Sequence, residues 1–256
     1  MSSIHTVLIT GATRGIGRGL TTAFLLRPST TVIAAVRDTT KGPAKALSNL
    51  PTGNGSKLIL VKIDSAVESD PATAVASLEK DHGIDHLDLV IANAGIGHSG
   101  KPVLQNSLDS ITEHFAINVG GPVSLIQATA PLLKAKKDGK PLFVALSSLI
   151  GSLGGMELLQ AFPPLMAPYG GSKTALNWFM RRLHFEEPWL ISFVFHPGLV
   201  LTDMADATFG DAGVNPKDVG AITVEESVEG MVKVITSATE ETGGTFKQYN
   251  GETLPW

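Results

Sequence analysis

Cysteine is absent from the chain. That gap excludes disulfides, thiolate nucleophiles and cysteine-bound zinc or iron–sulfur centres. A surplus of positive charge is missing too: 20 Lys and Arg stand against 24 Asp and Glu, a net charge of −4. With no basic patch or polybasic run, neither nucleic acid nor a membrane surface is an expected partner. Continuous apolar runs stay well short of the roughly 20 residues a membrane span needs. The opening Met1-Ser-Ser-Ile-His-Thr6 runs straight into Val7-Leu8-Ile9, with no charged segment ahead of a long apolar one, so no secretory signal is expected. No internal repeat, low-complexity tract or interdomain linker breaks the chain. A soluble, cytoplasmic protein without a metal site is the expectation.

What is present is apolar: 43% of the 256 residues, enough to bury a substantial core within one domain spanning residues 1–256. Short apolar runs alternate with longer segments of helical periodicity, the pattern of βαβ units around a parallel sheet. Seven strands are predicted, at Thr6–Thr10, Thr31–Val36, Lys57–Ile63, Leu87–Ala92, Pro141–Leu146, Leu190–Phe195 and Thr245–Tyr249. Several are apolar throughout, as strands covered by helices on both faces must be. The fold class is therefore α/β: a Rossmann-type doubly wound domain with a mostly parallel, seven-stranded sheet. Asp70-Pro71 reads as a helix N-cap followed by proline. Thr223 to Glu226 has the spacing of a capping box that opens the last long helix. Pro51 to Ser56 is a turn-rich loop.

The first strand runs into Thr10-Gly11-Ala12-Thr13-Arg14-Gly15-Ile16-Gly17 and then a helical segment. Glycines there let the backbone turn tightly and approach a pyrophosphate, to which the helix N-terminus offers free N–H groups and partial positive charge. The trio alone is a weak signal, since glycines also mark ordinary turns. Its place between strand and helix strengthens it. The second strand ends Val36-Arg37-Asp38. An acidic residue at that point would bind the ribose 2′-OH of NAD, and an arginine would accommodate the 2′-phosphate of NADP. Arg37, helped by Arg14, favours NADP(H); the competing reading gives the ribose to Asp38.

From this point the sequence resembles the short-chain dehydrogenase/reductase family, essentially end to end. After the glycine motif come Asp64 behind the third strand and Asn93-Ala94-Gly95 behind the fourth. Then follow Asn118, the pair Ser147-Ser148, Tyr169-Gly-Gly-Ser-Lys173, and Pro197-Gly198-Leu-Val200-Leu-Thr202. Softer motifs resemble fungal norsolorinic-acid-ketoreductase-like and related carbonyl reductases: Arg14 to Leu20, Lys173 to Trp178, Leu183 to Trp189, and Leu254-Pro-Trp256.

The resemblance implies a tetrad of Asn118, Ser148, Tyr169 and Lys173. Asp64 would meet the adenine, and Asn93, Ala94 and Gly95 would line the cofactor cleft. Asn118 would hold a water in a proton relay. Lys173 would also hold the nicotinamide ribose, and the segment from Pro197 and Gly198 through Val200 to Thr202 would orient the carboxamide.

Chemistry supports those roles. Lys173 lies one helical turn from Tyr169, so its charge is expected to lower the tyrosine pKa from about 10. Tyr169 would donate a proton to the forming alkoxide, and Ser148 would stabilise the negative charge on oxygen. The implied reaction is NADPH-dependent reduction of a bulky apolar ketone, aromatic or polyketide-type ketones included. Oxidation of a secondary alcohol and a non-catalytic dinucleotide sensor are the alternatives. A homodimer or homotetramer is the family expectation.

The stretch between Ser148 and Tyr169 is longer than usual in such proteins. It leaves open whether Ser147, Ser148 or Ser152 faces the substrate. Leu158, Leu159, Phe162, Leu165 and Met166 there suit a pocket wall or, equally, a subunit contact. Met204–Ala221 stands where relatives carry a substrate lid. His82 and His86, four apart, read as a surface cluster because Gly83 interrupts them. His196 reads as a satisfied buried histidine, and Trp178, Phe179 and Met180 as helix packing or a dimer face.

Overall fold

A computed structural model describes residues 4–98, 101–160, 166–211 and 213–256. The seven strands are β1 (Thr6–Thr10), β2 (Thr31–Val36), β3 (Lys57–Lys62), β4 (Leu89–Ala92), β5 (Leu142–Leu146), β6 (Ile191–His196) and β7 (Phe246–Gln248). They form one sheet in the order β3-β2-β1-β4-β5-β6-β7, with every neighbouring pair parallel. All seven expected strands are present, most of them shorter than predicted by a residue or two. Leu87 and Asp88 fall outside β4: the Leu87 amide donates to Leu132 O, and the Asp88 carboxylate accepts from the amides of His5 and Thr6 at 2.8 Å each.

Two helical layers bury the sheet. On one side α1 (Gly15–Leu25) and α8 (Val224–Thr236) cover Val7, Ile9, Val144, Phe193 and Phe195 with Leu20, Phe24 and Met231. On the other, α3 (Asp70–His82), α5 (Gly121–Lys134) and α6 (Ala167–Glu186) cover Leu8, Ile33, Phe143 and Val194 with Leu78, Leu125 and Leu176. Successive strand residues point to opposite faces, so two buried faces require the uninterrupted apolar runs seen in the sequence. Each buried Leu, Ile or Phe contributes about 1.5–3 kcal/mol relative to exposure.

Three local readings need correction. Asp70 does not cap α3 but is its first residue, behind Ser69; its carboxylate accepts instead from Asp64 N at 2.8 Å and Lys62 Nζ at 3.0 Å. The capping box at α8 is half formed. Thr223 Oγ1 accepts from Glu226 N at 3.1 Å, while the Glu226 carboxylate takes the Tyr249 hydroxyl at 3.2 Å.

The third concerns length. α4 (Leu108–Phe115) continues through a π turn, Ala116–Gly120, into α5. The resulting helix, Leu108–Lys134, has 27 residues and a mean hydropathy of 1.2 in its most apolar window, enough to cross a membrane by length and composition. Here it packs on the sheet, with Leu125, Leu132 and Leu133 buried in the core. The short helix α2 (Gly42–Lys45) and α7 (Asp203–Asp211) complete the set.

Candidate active site

The strand order reverses between β1 and β4, so the connections leaving their C-terminal ends run to opposite faces of the sheet and open a crevice. Asn93 spans it: its side chain donates to Thr10 O at 2.8 Å, and the amides of Asn93 and Ala94 donate to Thr10 Oγ1 at 3.1 and 3.0 Å. The glycine loop sits on this bridge. Gly15 adopts φ +50°, a left-handed conformation that glycine tolerates. At Gly17 a Cβ would lie 2.2 Å from Gly11 O and 2.4 Å from Asn93 Nδ2, so α1 approaches closer than any side chain permits. No side chain caps α1 and no acidic residue lies in its first turn. The glycine loop from Gly11 to Gly17 thus leads into a helix N-terminus without a side-chain cap or an acidic neighbour, and such an end fits a dinucleotide pyrophosphate.

Arg37 is exposed at the end of β2. The neighbouring Asp38 carboxylate is turned back on Thr40, accepting from its amide at 2.8 Å and its hydroxyl at 2.6 Å. Those bonds hold the Asp38 carboxyl below its ordinary pKa. Arg14 does not stand free beside Arg37: Nη1 pairs with Asp203 Oδ2 at 2.9 Å, joining the glycine loop to α7. Both partners are mostly exposed, and such pairs contribute only about 0–1 kcal/mol, so a phosphate can compete for the arginine. Asp64 accepts from Ala66 N at 3.0 Å in the turn after β3.

The tetrad candidates converge at the ends of β4 and β5. Asn118 is fully buried in the π turn, a helical defect frequent at functional sites. Its side chain accepts from Ile96 N at 2.9 Å and donates to Ile96 O at 2.9 Å and Ser172 Oγ at 3.0 Å. Lys173 Nζ donates to Leu146 O at 2.7 Å and lies 5.6 Å from the centre of the Tyr169 ring. Gly95 passes between Asn118 and Lys173: a Cβ on it would lie 3.0 Å from Asn118 Oδ1 and 3.6 Å from Lys173 Nζ. Two residues on, a Cβ at Gly97 would lie 3.1 Å from the Tyr169 ring and 2.9 Å from Met204 Sδ.

Geometry separates the three serines. Ser147 Oγ donates to Asn177 Oδ1 at 2.5 Å, inside the protein, and Ser152 Oγ to Pro255 O at 2.7 Å, whereas Ser148, whose Oγ accepts from Ile150 N at 3.3 Å, is the serine that interacts with Tyr169.

The expected drop in the Tyr169 pKa does not occur. Burial pushes it up to about 12, and the Ser148 hydrogen bond offsets only part of that rise. Burial also pushes Lys173 down to about 8. The reason is shared: both groups lie in a low-dielectric environment that disfavours each one's charged form. At neutral pH Tyr169 therefore carries its proton, as a donor must.

Behind β6, Pro197 O accepts from Ser227 Oγ at 2.6 Å. Gly198 turns the chain at φ +89°, and Val200 is buried and bridged to Ile222. Thr202 Oγ1 accepts from Ala205 N at 3.4 Å, inside the start of α7. α7 lies over the site, with Thr208 Oγ1 donating to Gly97 O at 3.2 Å. Leu158 is exposed and Leu159 and Met166 are half-buried. Phe162 and Leu165, assigned to the same wall, lie outside the described residues.

His82 and His86 are not on one helix, because Gly83 ends α3 in a left-handed conformation at φ +64°. Among the described residues no cluster of three or more metal-ligating side chains occurs. Sequence reasoning missed the edge-on pair His98–His114, 4.4 Å apart beside the site. No motif marks it.

His196 departs from expectation: its Nδ1 is buried without a partner among the described residues. Burial pushes its pKa down from 6.5 to about 4. Between those values the unfolded chain binds a proton that the folded chain refuses, so stability is lost as pH falls from about 6.5 toward 4. The loss attributable to this group is about 3 kcal/mol at most. Thermal melts across that window should show a shallower pH slope for His196→Asn than for wild type; equal slopes would assign the loss elsewhere.

A family model for short chain dehydrogenases matches residues 5–212. A norsolorinic acid ketoreductase of Dothistroma septosporum is 44% identical over 98% of this chain and 92% of its own length. One from Aspergillus parasiticus is 39% identical over 97% and 90%. Among solved structures, an NADPH-bound carbonyl reductase from chicken fatty liver superposes with TM-score 0.86, at 29% identity and full coverage of both chains. The chain belongs to the short-chain dehydrogenase family of oxidoreductases.

Proposed function

We propose that this protein is an NADPH-dependent ketoreductase that converts a bulky apolar ketone to a secondary alcohol, with Tyr169 as the proton donor. The observation that carries the proposal is the meeting of Ser148, Tyr169 and Lys173 beside Gly95–Gly97 at the topological switch point. The named relatives, norsolorinic acid ketoreductases and an NADPH-bound carbonyl reductase, support the same chemistry.

NADPH, when bound, supplies the hydride. Gly11, Thr13, Arg14, Gly15, Ile16 and Gly17 would hold its pyrophosphate, and Arg37 its 2′-phosphate. Asp64 would take the adenine, with Asn93, Ala94 and Gly95 along the cleft wall. Lys173 would hold the nicotinamide ribose, and Pro197, Gly198, Val200 and Thr202 would flank the carboxamide. Ser148 donates to the substrate oxygen and stabilises its growing charge. Tyr169 then passes its proton to that oxygen. Lys173 and Asn118 would relay a proton from bulk solvent back to the Tyr169 oxygen. Leu158, Leu159 and Met166 would give the substrate side an apolar wall. The protein acts in the cytoplasm, and exposed Trp178 and Phe185 on α6 suit a homodimer or homotetramer.

The turned-back carboxylate of Asp38 leaves the end of β2 to Arg37. With a panel of aliphatic, aryl and polycyclic ketones, wild type should consume NADPH fastest with the aryl and polycyclic members. Arg37→Ala should raise KM for NADPH at least about tenfold, the loss of a charged phosphate contact, and leave KM for NADH nearly unchanged. Equal effects on both cofactors would return the ribose to Asp38.

A further inference from the structure

Leu254-Pro255-Trp256, a mere likeness in the sequence, has a definite place in the fold. Leu254 N donates to Phe246 O at 2.8 Å, which moors the segment to β7. Pro255 O then accepts from Ser152 Oγ at 2.7 Å, and Trp256 O accepts from Gly154 N at 2.7 Å. The Trp256 ring packs 5.7 Å from Phe246 and lies 5.1 Å beneath the Arg181 guanidinium of α6. Arg181 is itself tied to Gly244 O at 2.9 Å.

The loop so gripped is the one that leaves Ser148, and its inner side lies flush on α6. A Cβ at Gly151 would fall 2.6 Å from Lys173 Cβ, and Gly151 O accepts from Thr174 Oγ1 at 3.0 Å. Ser152, fully buried, links the two sides: its hydroxyl donates outward to Pro255 and accepts from Gly155 N at 2.9 Å. The strap therefore touches both the loop carrying Ser148 and the helix carrying Tyr169 and Lys173.

We propose that Leu254–Trp256 is a positioning strap that holds the Ser148 loop against α6, and that Trp256 thereby sets the spacing of Ser148 and Tyr169. The inference rests on the reading of those two as the catalytic pair. Trp256 contacts Phe246, Arg181 and Gly154 rather than Ser148, Tyr169 or Lys173, so its loss acts on turnover through geometry, where small misplacements cost up to about 10²-fold.

The test uses the full chain as wild type, Trp256→Ala and Trp256→Phe. Amide hydrogen exchange is read over Ile150–Gly155, together with kcat, KM and the NADPH dissociation constant. The alanine variant should exchange faster in that loop and lose about tenfold or more in kcat. Its NADPH affinity should stay within about twofold of wild type, and Trp256→Phe should recover most of the loss. Unchanged loop exchange overturns the strap whether or not the enzyme turns over. Parallel loss of kcat, NADPH affinity and melting temperature overturns it as well, because a general role in folding then suffices. Loosened loop exchange with unaltered kcat overturns the positioning role alone. A wild type that reduces no ketone overturns the catalytic pair, and with it that role.

Discussion

Tyr169→Phe should lower kcat for ketone reduction by about 10²–10⁴-fold, the range a positioned general acid contributes, with NADPH affinity within about twofold of wild type. The substitution removes one hydroxyl and leaves the ring that packs on Gly97. Nothing in the glycine loop or at Arg37 depends on that hydroxyl. Its loss removes the interaction with Ser148 and the hydroxyl that carries the transferable proton at neutral pH. Stopped-flow single-turnover measurement isolates the chemical step from cofactor release. A hydride-transfer rate equal to wild type would remove Tyr169 from the reaction.

Gly17→Ala should weaken NADPH binding by about 30-fold or more and lower the melting temperature. The added methyl would stand 2.2 Å from a backbone oxygen and 2.4 Å from the Asn93 amide that bridges β1 and β4. Neither neighbour is the free end of a flexible chain, so α1 must retreat from the switch point by roughly an ångström. Overpacking of this kind costs about 1–3 kcal/mol in stability, and the retreat also withdraws the helix N-terminus from the pyrophosphate. Gly42→Ala is the control, since its Cβ would meet nothing within 4 Å. Fluorescence titration with NADPH and a thermal melt on each variant read the two effects. Wild-type affinity in Gly17→Ala would mean that α1 does not hold the cofactor by close approach.

Both predictions begin from residues legible in the sequence. The strands were readable because helices cover both faces, and residues buried on both faces must all be apolar. Tyr169 and Lys173 were readable as a pair because helical periodicity puts residues four apart on one side. What periodicity cannot carry is direction and dielectric. Ser147 and Ser148 look alike in a row, yet adjacent residues of extended chain point to opposite sides. One reaches Asn177 and the other Tyr169. The Tyr169 pKa runs against expectation because helical spacing carries the neighbouring charge and not the burial of both groups.

Contacts between residues far apart in the chain were equally hidden. The Arg14–Asp203 pair spans 189 positions, and the Ser152–Pro255 bond spans 103. The π turn that fuses α4 and α5 was likewise hidden, because tertiary packing rather than local pattern selects it.

The most direct test of the account is deuteride transfer from NADPH deuterated at the nicotinamide C4, with the best ketone of the panel, followed by mass spectrometry of the product. The product should be a secondary alcohol carrying one deuterium on the carbinol carbon, formed in step with NADP⁺ and lost in Tyr169→Phe. NADPH bound tightly with no deuterium reaching any ketone would contradict it and leave a dinucleotide sensor on a reductase fold.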